Sequence, residues 1–223
     1  MKAADHSIAI TRTARYFTLG EMYERTRQVW FVLHGYGQLA EYFVRKFEKI
    51  QDPETLIVAP EALSRFYLDH NSGRVGASWM TREDRLHEIE DYVAYLESIQ
   101  QEIFKYYRSD NVQITVLGFS QGTATACRWV NQSKMRCDRL ILWGGYFANG
   151  ILELVERDRL PPQNTHFVYG DKDEYLNQLN PDKYLEKLRT ELPFMKILEY
   201  EGGHAVDTEV LSRRFGEKPF ALY

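Results

Sequence analysis

One serine of the chain stands where its hydroxyl could act as a nucleophile. Ser120 lies in the sequence GFSQG (residues 118–122), directly after an apolar run predicted to be a strand (112–117) and at the start of a predicted helix (121–132). In a strand–turn–helix setting, G-x-S-x-G places the serine on a sharp, strained turn at the edge of a sheet. The pattern therefore predicts a hydroxyl that is exposed for chemistry.

Two histidines follow Ser120 in the chain, and one of them is a candidate general base. A serine nucleophile needs such a base, which is in turn oriented by a carboxylate, and the chain order expected here is serine, acid, histidine. His166 lies within a predicted strand and is interpreted as a packed residue, whereas His204 follows the last predicted strand. The loop after the preceding strand (165–169) offers the carboxylates of Asp171, Asp173 and Glu174, and spacing does not choose between the two aspartates.

Stabilising a tetrahedral oxyanion requires two preorganised N–H donors. The backbone amide of Gln121, directly after the serine, is one expected donor. The other is expected from the loop HGYG (34–37), which follows an early predicted strand and contains two glycines. His34 precedes Ser120, the wrong order for the base, and is interpreted as a residue that fixes this loop.

The elements that must position these residues alternate between strands and helices along the chain. Predicted strands cover residues 27–33, 55–59, 112–117, 139–143, 165–169 and 195–200, and predicted helices cover residues 39–50, 81–107, 121–132, 181–191 and 206–214. This alternation predicts an α/β fold with a mostly parallel central sheet and helices on both faces. The carboxyl ends of parallel strands then share one edge, where a site is expected.

Three further segments complete the predicted organisation of a single domain spanning residues 1–223. The first twenty residues are predicted to form an edge hairpin. Residues 60–81 are the least regular stretch and are interpreted as an insertion near the site. Thr81 and Asp84 resemble a capping box that opens the long third helix.

Composition and charge exclude several classes of function. The 223 residues include 28 Lys and Arg against 32 Asp and Glu, a net charge of −4, which offers no electrostatic footprint for nucleic acid or an anionic membrane. The longest apolar run, residues 29–33, is too short for a membrane span. We therefore expect a soluble and cytoplasmic protein. Cys127 and Cys137 match no redox or zinc motif, and no metal or phosphate motif occurs, so a cofactor-free hydrolase is predicted.

Taken together, HGYG (34–37), GFSQG (118–122), GDKD (170–173) and the Gly-His pair (203–204) resemble the phospholipase/carboxylesterase family of α/β-hydrolases. That family includes acyl-protein thioesterases and small bacterial carboxylesterases. The resemblance covers residues 27–212, and the GFSQG sequence is its most specific part.

The resemblance implies roles that spacing alone leaves open. It implies that the Tyr36 amide is the second oxyanion donor, that Asp173 is the orienting acid, and that Trp79 lines the substrate pocket. Gln38 departs from the family, which usually has Asp after H-G-x-G.

The leading hypothesis is a serine esterase that cleaves carboxylic esters or thioesters through an acyl-enzyme, using Ser120, His204 and Asp173. An amidase or peptidase with the same three residues, and a non-catalytic binding protein of the same fold, are the alternatives. The partner is then a small ester or acyl substrate, and a homodimer is possible. An apolar acyl or aryl group is expected in a pocket rimmed by Phe66, Trp79 and Tyr146.

Overall fold

Seven strands form the central sheet in the part of the chain that the computed structural model describes, namely residues 3–69, 71, 73–133 and 135–216. The strands are β1 (Tyr16–Leu19), β2 (Gln28–Leu33), β3 (Thr55–Pro60), β6 (Gln113–Phe119), β7 (Arg139–Trp143), β8 (Thr165–Gly170) and β9 (Lys196–Tyr200), and a separate hairpin pairs β4 (Ser64–Tyr67) with β5 (Val75–Ser78). The sheet order is β1-β3-β2-β6-β7-β8-β9. All neighbouring pairs are parallel except β1 with β3. This arrangement confirms the predicted α/β fold.

Helices cover both faces of the sheet. They are α1 (Ala40–Phe43), which continues as a 3₁₀ helix (Val44–Ile50), α2 (Arg85–Ile103), α3 (Gln121–Gln132), α4 (Glu174–Asn177), α5 (Pro181–Glu191) and α6 (Thr208–Phe215). Alternating strand side chains feed two cores: Phe31 packs in the core with α2, α3 and α5, and Trp30 in the core with α1 and α6. Among the described residues, no helix has both the length and the apolar character needed to cross a membrane.

The predicted N-terminal hairpin is wrong for the described residues. Residues 3–20 contribute the single strand β1, which pairs antiparallel with β3 at the sheet edge. The partner strand lies some forty residues further along the chain. The loose alternation of apolar residues that predicted a hairpin identifies a strand but not its partner.

The start of the long helix also differs from the prediction. Helix α2 begins at Arg85, and Asp84 adopts a left-handed conformation (φ 48°) without capping the helix through its side chain. The Thr81 hydroxyl instead accepts a hydrogen bond from the amide of Glu83. The capping-box sequence is therefore used in a turn before the helix, and the helix ends at Ile103 rather than near residue 107.

Residues 60–81 are more regular than predicted, because they contain the β4–β5 hairpin. The amide of Gly37 donates to the carbonyl of Ala77 at 2.9 Å, and the amide of Ala77 donates to the carbonyl of Gln38 at 3.1 Å. These bonds attach β5 to the HGYG loop. The hairpin thus supports the segment from which an oxyanion donor was expected.

Candidate active site

Ser120 occupies a strained turn between β6 and α3. Its backbone lies in the left-handed region (φ 52°, ψ −118°), a conformation that costs a residue other than glycine on the order of 1–3 kcal/mol. The Ser120 amide donates to the carbonyl of Trp143 at 2.9 Å, and the Thr123 hydroxyl donates to the Ser120 carbonyl at 2.6 Å. A Cβ at Gly118 would come within 2.3 Å of the Gly122 carbonyl oxygen, so the two glycines let the strand and helix approach closely.

The His204 ring lies between Ser120 and a carboxylate. Its Nε2 is 2.9 Å from the Ser120 Oγ, and its Nδ1 is 2.7 Å from the Asp173 Oδ2. The rings of Phe119 and Tyr175 pack against the imidazole with centroids 4.9 and 4.5 Å away. A proton on Nδ1 is held by the carboxylate, which leaves Nε2 free to accept the serine proton.

The two aspartates that the sequence left open have different contacts. Asp173 is buried, and its other carboxylate oxygen accepts hydrogen bonds from two backbone amides at the start of α4, at 3.0 and 3.2 Å. Asp171 instead accepts a hydrogen bond from the Gly202 amide at 2.9 Å, which joins the loops after β8 and β9. The structure therefore brings Asp173, and not Asp171, to His204.

The HGYG loop lies beside the serine. A Cβ at Gly35 would stand 3.2 Å from the Ser120 Cβ. The Gly35 amide donates to the side-chain oxygen of Gln38 at 2.9 Å, and the Gly37 amide is bound to β5. Tyr36 lies between these two glycines in the chain, and within the described residues no acceptor is found for its amide. The Gln38 side chain thus helps to fix the conformation of this loop.

The other expected oxyanion donor is the backbone amide of Gln121, the first residue of α3. The first amides of a helix have no intrahelical acceptor, which leaves the Gln121 amide available beside the serine. The Gln121 side chain accepts a hydrogen bond from the Trp79 amide at 3.0 Å and donates to the Met80 carbonyl at 2.7 Å. It therefore ties the segment after β5 to the serine turn, a role that the sequence reasoning missed.

His34 holds neighbouring loops together, as its place in the chain order indicated. Its Nδ1 donates to the Gly35 carbonyl at 2.7 Å, and its Nε2 accepts a hydrogen bond from the Ala62 amide at 3.0 Å. Burial lowers the pKa of this histidine to about 4, so the ring is neutral at pH 7. The pKa of His166 is also lowered to about 4 by burial and nearby cations, and its ring packs against that of Phe215, with centroids 5.1 Å apart. Both are structural histidines by their contacts.

A cavity of about 470 Å³ opens beside the serine. Its walls include Ser120, His204, Gln121, Arg128, Tyr146 and Tyr175. Tyr146 lies on the cavity as predicted from the sequence, but Phe66 and Trp79 do not.

Two of the residues predicted to rim the substrate pocket, Phe66 and Trp79, contact the HGYG loop instead. The Phe66 ring packs against that of Tyr36, with centroids 5.0 Å apart. Trp79 is only 2% exposed, and its indole donates to the His34 carbonyl at 2.8 Å. Neither side chain is among those that line this cavity, whereas Met80, the residue after Trp79, is. Among the described residues, no three His, Cys, Asp or Glu side chains are grouped so as to hold a metal ion.

Solved structures of known proteins share this fold. The acyl-protein thioesterase 2 of Zea mays is 16% identical, with a TM-score of 0.64, over 91% of this chain and 96% of that one. Esterase PE8 is 18% identical, with a TM-score of 0.64 and the same coverage. A phospholipase/carboxylesterase of Dyadobacter fermentans is 16% identical, with a TM-score of 0.59, over 94% of this chain and 99% of that one. At these identities the likeness is one of fold.

The family itself is established from the sequence profile. No protein with a curated description matches the chain. The profile described as phospholipase/carboxylesterase matches residues 17–213, which is most of the chain and includes every site residue described above. The chain therefore belongs to the phospholipase/carboxylesterase family, whose description indicates a hydrolase of the esterase type.

Proposed function

We propose that this protein is a serine hydrolase that cleaves carboxylic esters or thioesters through an acyl-enzyme. The observation that carries the proposal is the continuous chain of contacts from the Ser120 Oγ through both nitrogens of His204 to the buried carboxylate of Asp173. Family membership supports ester or thioester chemistry.

In the first half of the reaction, the Ser120 Oγ attacks the substrate carbonyl while His204 Nε2 takes its proton. The tetrahedral intermediate collapses, the bond to the leaving alcohol or thiol breaks, and His204 returns the proton to that leaving group. Asp173 holds the imidazole in the tautomer that can accept the proton and stabilises its charged form. The acyl group is then bound to Ser120 as an ester.

In the second half, water attacks the acyl-enzyme and gives its proton to His204. The bond to Ser120 breaks, the carboxylic acid leaves, and the proton returns to the Ser120 Oγ. In both halves the amides of Tyr36 and Gln121 are proposed to donate to the oxyanion. One such donor is worth about 10²–10³-fold in rate.

Replacement of the nucleophile tests the proposal. Ser120→Ala should lower kcat for a short-chain p-nitrophenyl ester by about a thousandfold or more, and should abolish labelling by a fluorophosphonate probe. Ser98→Ala is the matched control, because Ser98 is exposed on α2 and its hydroxyl donates to the Ala94 carbonyl of the same helix at 2.8 Å. Turnover in Ser120→Ala equal to that of the control would refute the proposal.

A second pair of variants tests the choice of acid. Asp173→Asn should reduce kcat by about 10³–10⁴-fold, because the amide no longer holds the productive tautomer. Asp171→Asn changes the same functional group two residues away, where the carboxylate contacts the Gly202 amide rather than His204. Equal losses in the two variants would contradict the role proposed for Asp173.

A further inference from the structure

One face of helix α3 forms a wall of the cavity from the serine to an arginine. Gln121, Ala124, Thr125 and Arg128 all lie on this wall. They are spaced at i, i+3, i+4 and i+7, so they share one helix face. Because a helix rises 1.5 Å per residue, the eight residues from Ser120 to Arg128 span roughly 12 Å.

Arg128 is buried, and no counter-charge is found for it among the residues that the structure describes. Its side chain is about nine-tenths buried, at 9% exposure. Its Nη1 donates to the hydroxyl of Tyr92 at 3.3 Å and lies 3.5 Å from the sulfur of Met80. Both partners are neutral, since burial raises the pKa of the Tyr92 phenol.

No acidic partner compensates this charge. Within the described residues, no Asp or Glu oxygen lies within 4.0 Å of the Arg128 guanidinium. A guanidinium has five N–H donors, and the bonds found here come from one nitrogen. Buried charges in proteins are normally paired, because leaving one unpaired costs several kcal/mol.

The other residues that line the cavity indicate which kind of molecule could pair with the Arg128 charge. Among the described residues that line it, none is Asp or Glu. Ala124, Leu179 and Met80 contribute apolar surface to the same cavity. Long helical side chains lean toward the helix N-terminus, which directs Arg128 back toward Ser120. The cavity therefore suits a molecule with a short apolar stretch and an anionic end.

We propose that Arg128 binds an anionic group, such as a carboxylate, at the end of the substrate remote from the bond that is cleaved. This inference rests on the serine hydrolase proposed above and names its substrate class: esters or thioesters that carry a negative charge several bonds from the scissile carbonyl. It replaces the expectation of a purely apolar acyl group. Charge-assisted bonds to a buried guanidinium then supply selectivity that the apolar wall does not provide.

Paired substrates test the proposal on the unaltered protein. The p-nitrophenyl monoester of adipic acid carries a carboxylate on the acyl side, and p-nitrophenyl hexanoate is its uncharged counterpart. A second pair places the carboxylate on the alcohol: the butanoate esters of 4-hydroxybenzoate and of 4-methylphenol. We expect kcat/KM to favour the charged member of one pair by about tenfold to a hundredfold, and the pair that responds identifies the side on which the anion binds.

Variants assign the preference to Arg128. In Arg128→Gln the charged-over-neutral ratio of kcat/KM should fall to near one, mainly through KM, and in Arg128→Lys part of it should remain. Arg108→Gln is the matched control, because it removes the same charge from an exposed surface pair with Asp110. The glutamine variant removes a buried unpaired charge, so we expect it to fold with an unchanged or higher Tm.

A binding measurement separates this proposal from the proposed function. Calorimetric titration of the adipate monoester into Ser120→Ala reports binding without turnover, and the same titration of the Ser120→Ala/Arg128→Gln double variant should show at least tenfold weaker binding. Equal kcat/KM for charged and neutral esters in both pairs, with Ser120-dependent hydrolysis intact, would overturn the anion site and leave the proposed function standing. Binding that depends on Arg128, without Ser120-dependent hydrolysis, would overturn the proposed function and support the anion site.

Discussion

Acidification should destabilise the protein through His34, the buried histidine beside the HGYG loop. The pKa of this residue is lowered by burial from 6.5 to about 4. Its Nε2 accepts the Ala62 amide, and its Nδ1 donates to the Gly35 carbonyl. Protonation of Nε2 removes the acceptor for the Ala62 amide and places a charge in the core. The folded state therefore favours the neutral ring.

The sign and size of the effect follow from the two pKa values. Because the folded pKa lies below the unfolded one, the stability contributed by neutral His34 is present above pH 6.5 and is lost as the pH falls toward 4. Integrating the difference in proton binding between pH 7 and pH 5 gives a loss of about 2 kcal/mol. For a chain of this length that loss corresponds to a decrease in Tm of about 4–8 °C.

Urea unfolding at several pH values between 7 and 5 measures this loss, with tryptophan fluorescence as the signal. All four tryptophans are buried and should report unfolding: Trp30, Trp79, Trp129 and Trp143. His34→Gln keeps a donor and an acceptor but does not titrate, so its stability should fall by about 2 kcal/mol less than that of the wild type over this range. Other titrating groups, including His166, contribute equally to both proteins and cancel.

His6→Gln serves as the control, because His6 is an exposed residue outside the helices and strands. Its pH dependence of stability should match the wild type. Parallel curves for His34→Gln and the wild type between pH 7 and 5 would refute the reasoning. Such a result would mean that the folded protein accommodates a charged ring at this position.

Two substitutions test other contacts of the site, and a chemical modification tests the burial of Cys127. Gly144→Ala should lower kcat about tenfold for a p-nitrophenyl ester, because the residue has φ +61° and its Cβ would lie 3.2 Å from the His204 ring. Gln38→Ala removes the acceptor of the Gly35 amide and should also lower kcat about tenfold with little change in KM. The pKa of Cys127 is raised by burial to about 12, so iodoacetamide at pH 8 should modify this thiol only after denaturation, as measured by mass spectrometry.

Each of these has a matched comparison. Gly73→Ala also replaces a glycine with positive φ, but its Cβ would meet no atom within 4 Å, so it controls for strain alone. Gln38→Glu keeps a side-chain oxygen acceptor and should retain most activity. A Gly144→Ala enzyme as active as Gly73→Ala, or a Gln38→Glu enzyme as impaired as Gln38→Ala, would contradict the contacts assigned to these residues. Rapid alkylation of Cys127 in the native protein would show that the core opens there.

Local sequence patterns predicted most of the scaffold because their signals span only a few residues. The bounds of α3 (Gln121–Gln132), β7 (Arg139–Trp143) and α5 (Pro181–Glu191) agree with the predictions. Apolar periodicity and turn-forming residues determine secondary structure within a short segment of the chain. The strand–turn–helix around Ser120 is equally local, so the sequence motif alone predicted it. The roles of Ser120, Asp173 and His204 in a reaction stay predictions.

Features that depend on partners distant in the chain were predicted poorly. The partner of β1 and the hairpin within residues 60–81 are pairings that apolar patterns do not specify. The burial of Trp79 depends on the His34 carbonyl, forty-five residues away. Which aspartate contacts His204 could be decided only from the family resemblance or from the conformation of the loops after β8 and β9, which brings Asp173 to His204 and Asp171 to the Gly202 amide.

The sequence by itself predicted the fold class, the turn that carries Ser120, and the order of serine, acid and histidine along the chain. The tertiary structure decided which side chains face the cavity, and above all that Arg128 lies there with no acidic partner among the described residues. A periodic pattern records whether a residue is apolar relative to its neighbours in the chain. Whether a charge is paired depends on every segment that packs around it, and those segments are brought together only when the chain folds.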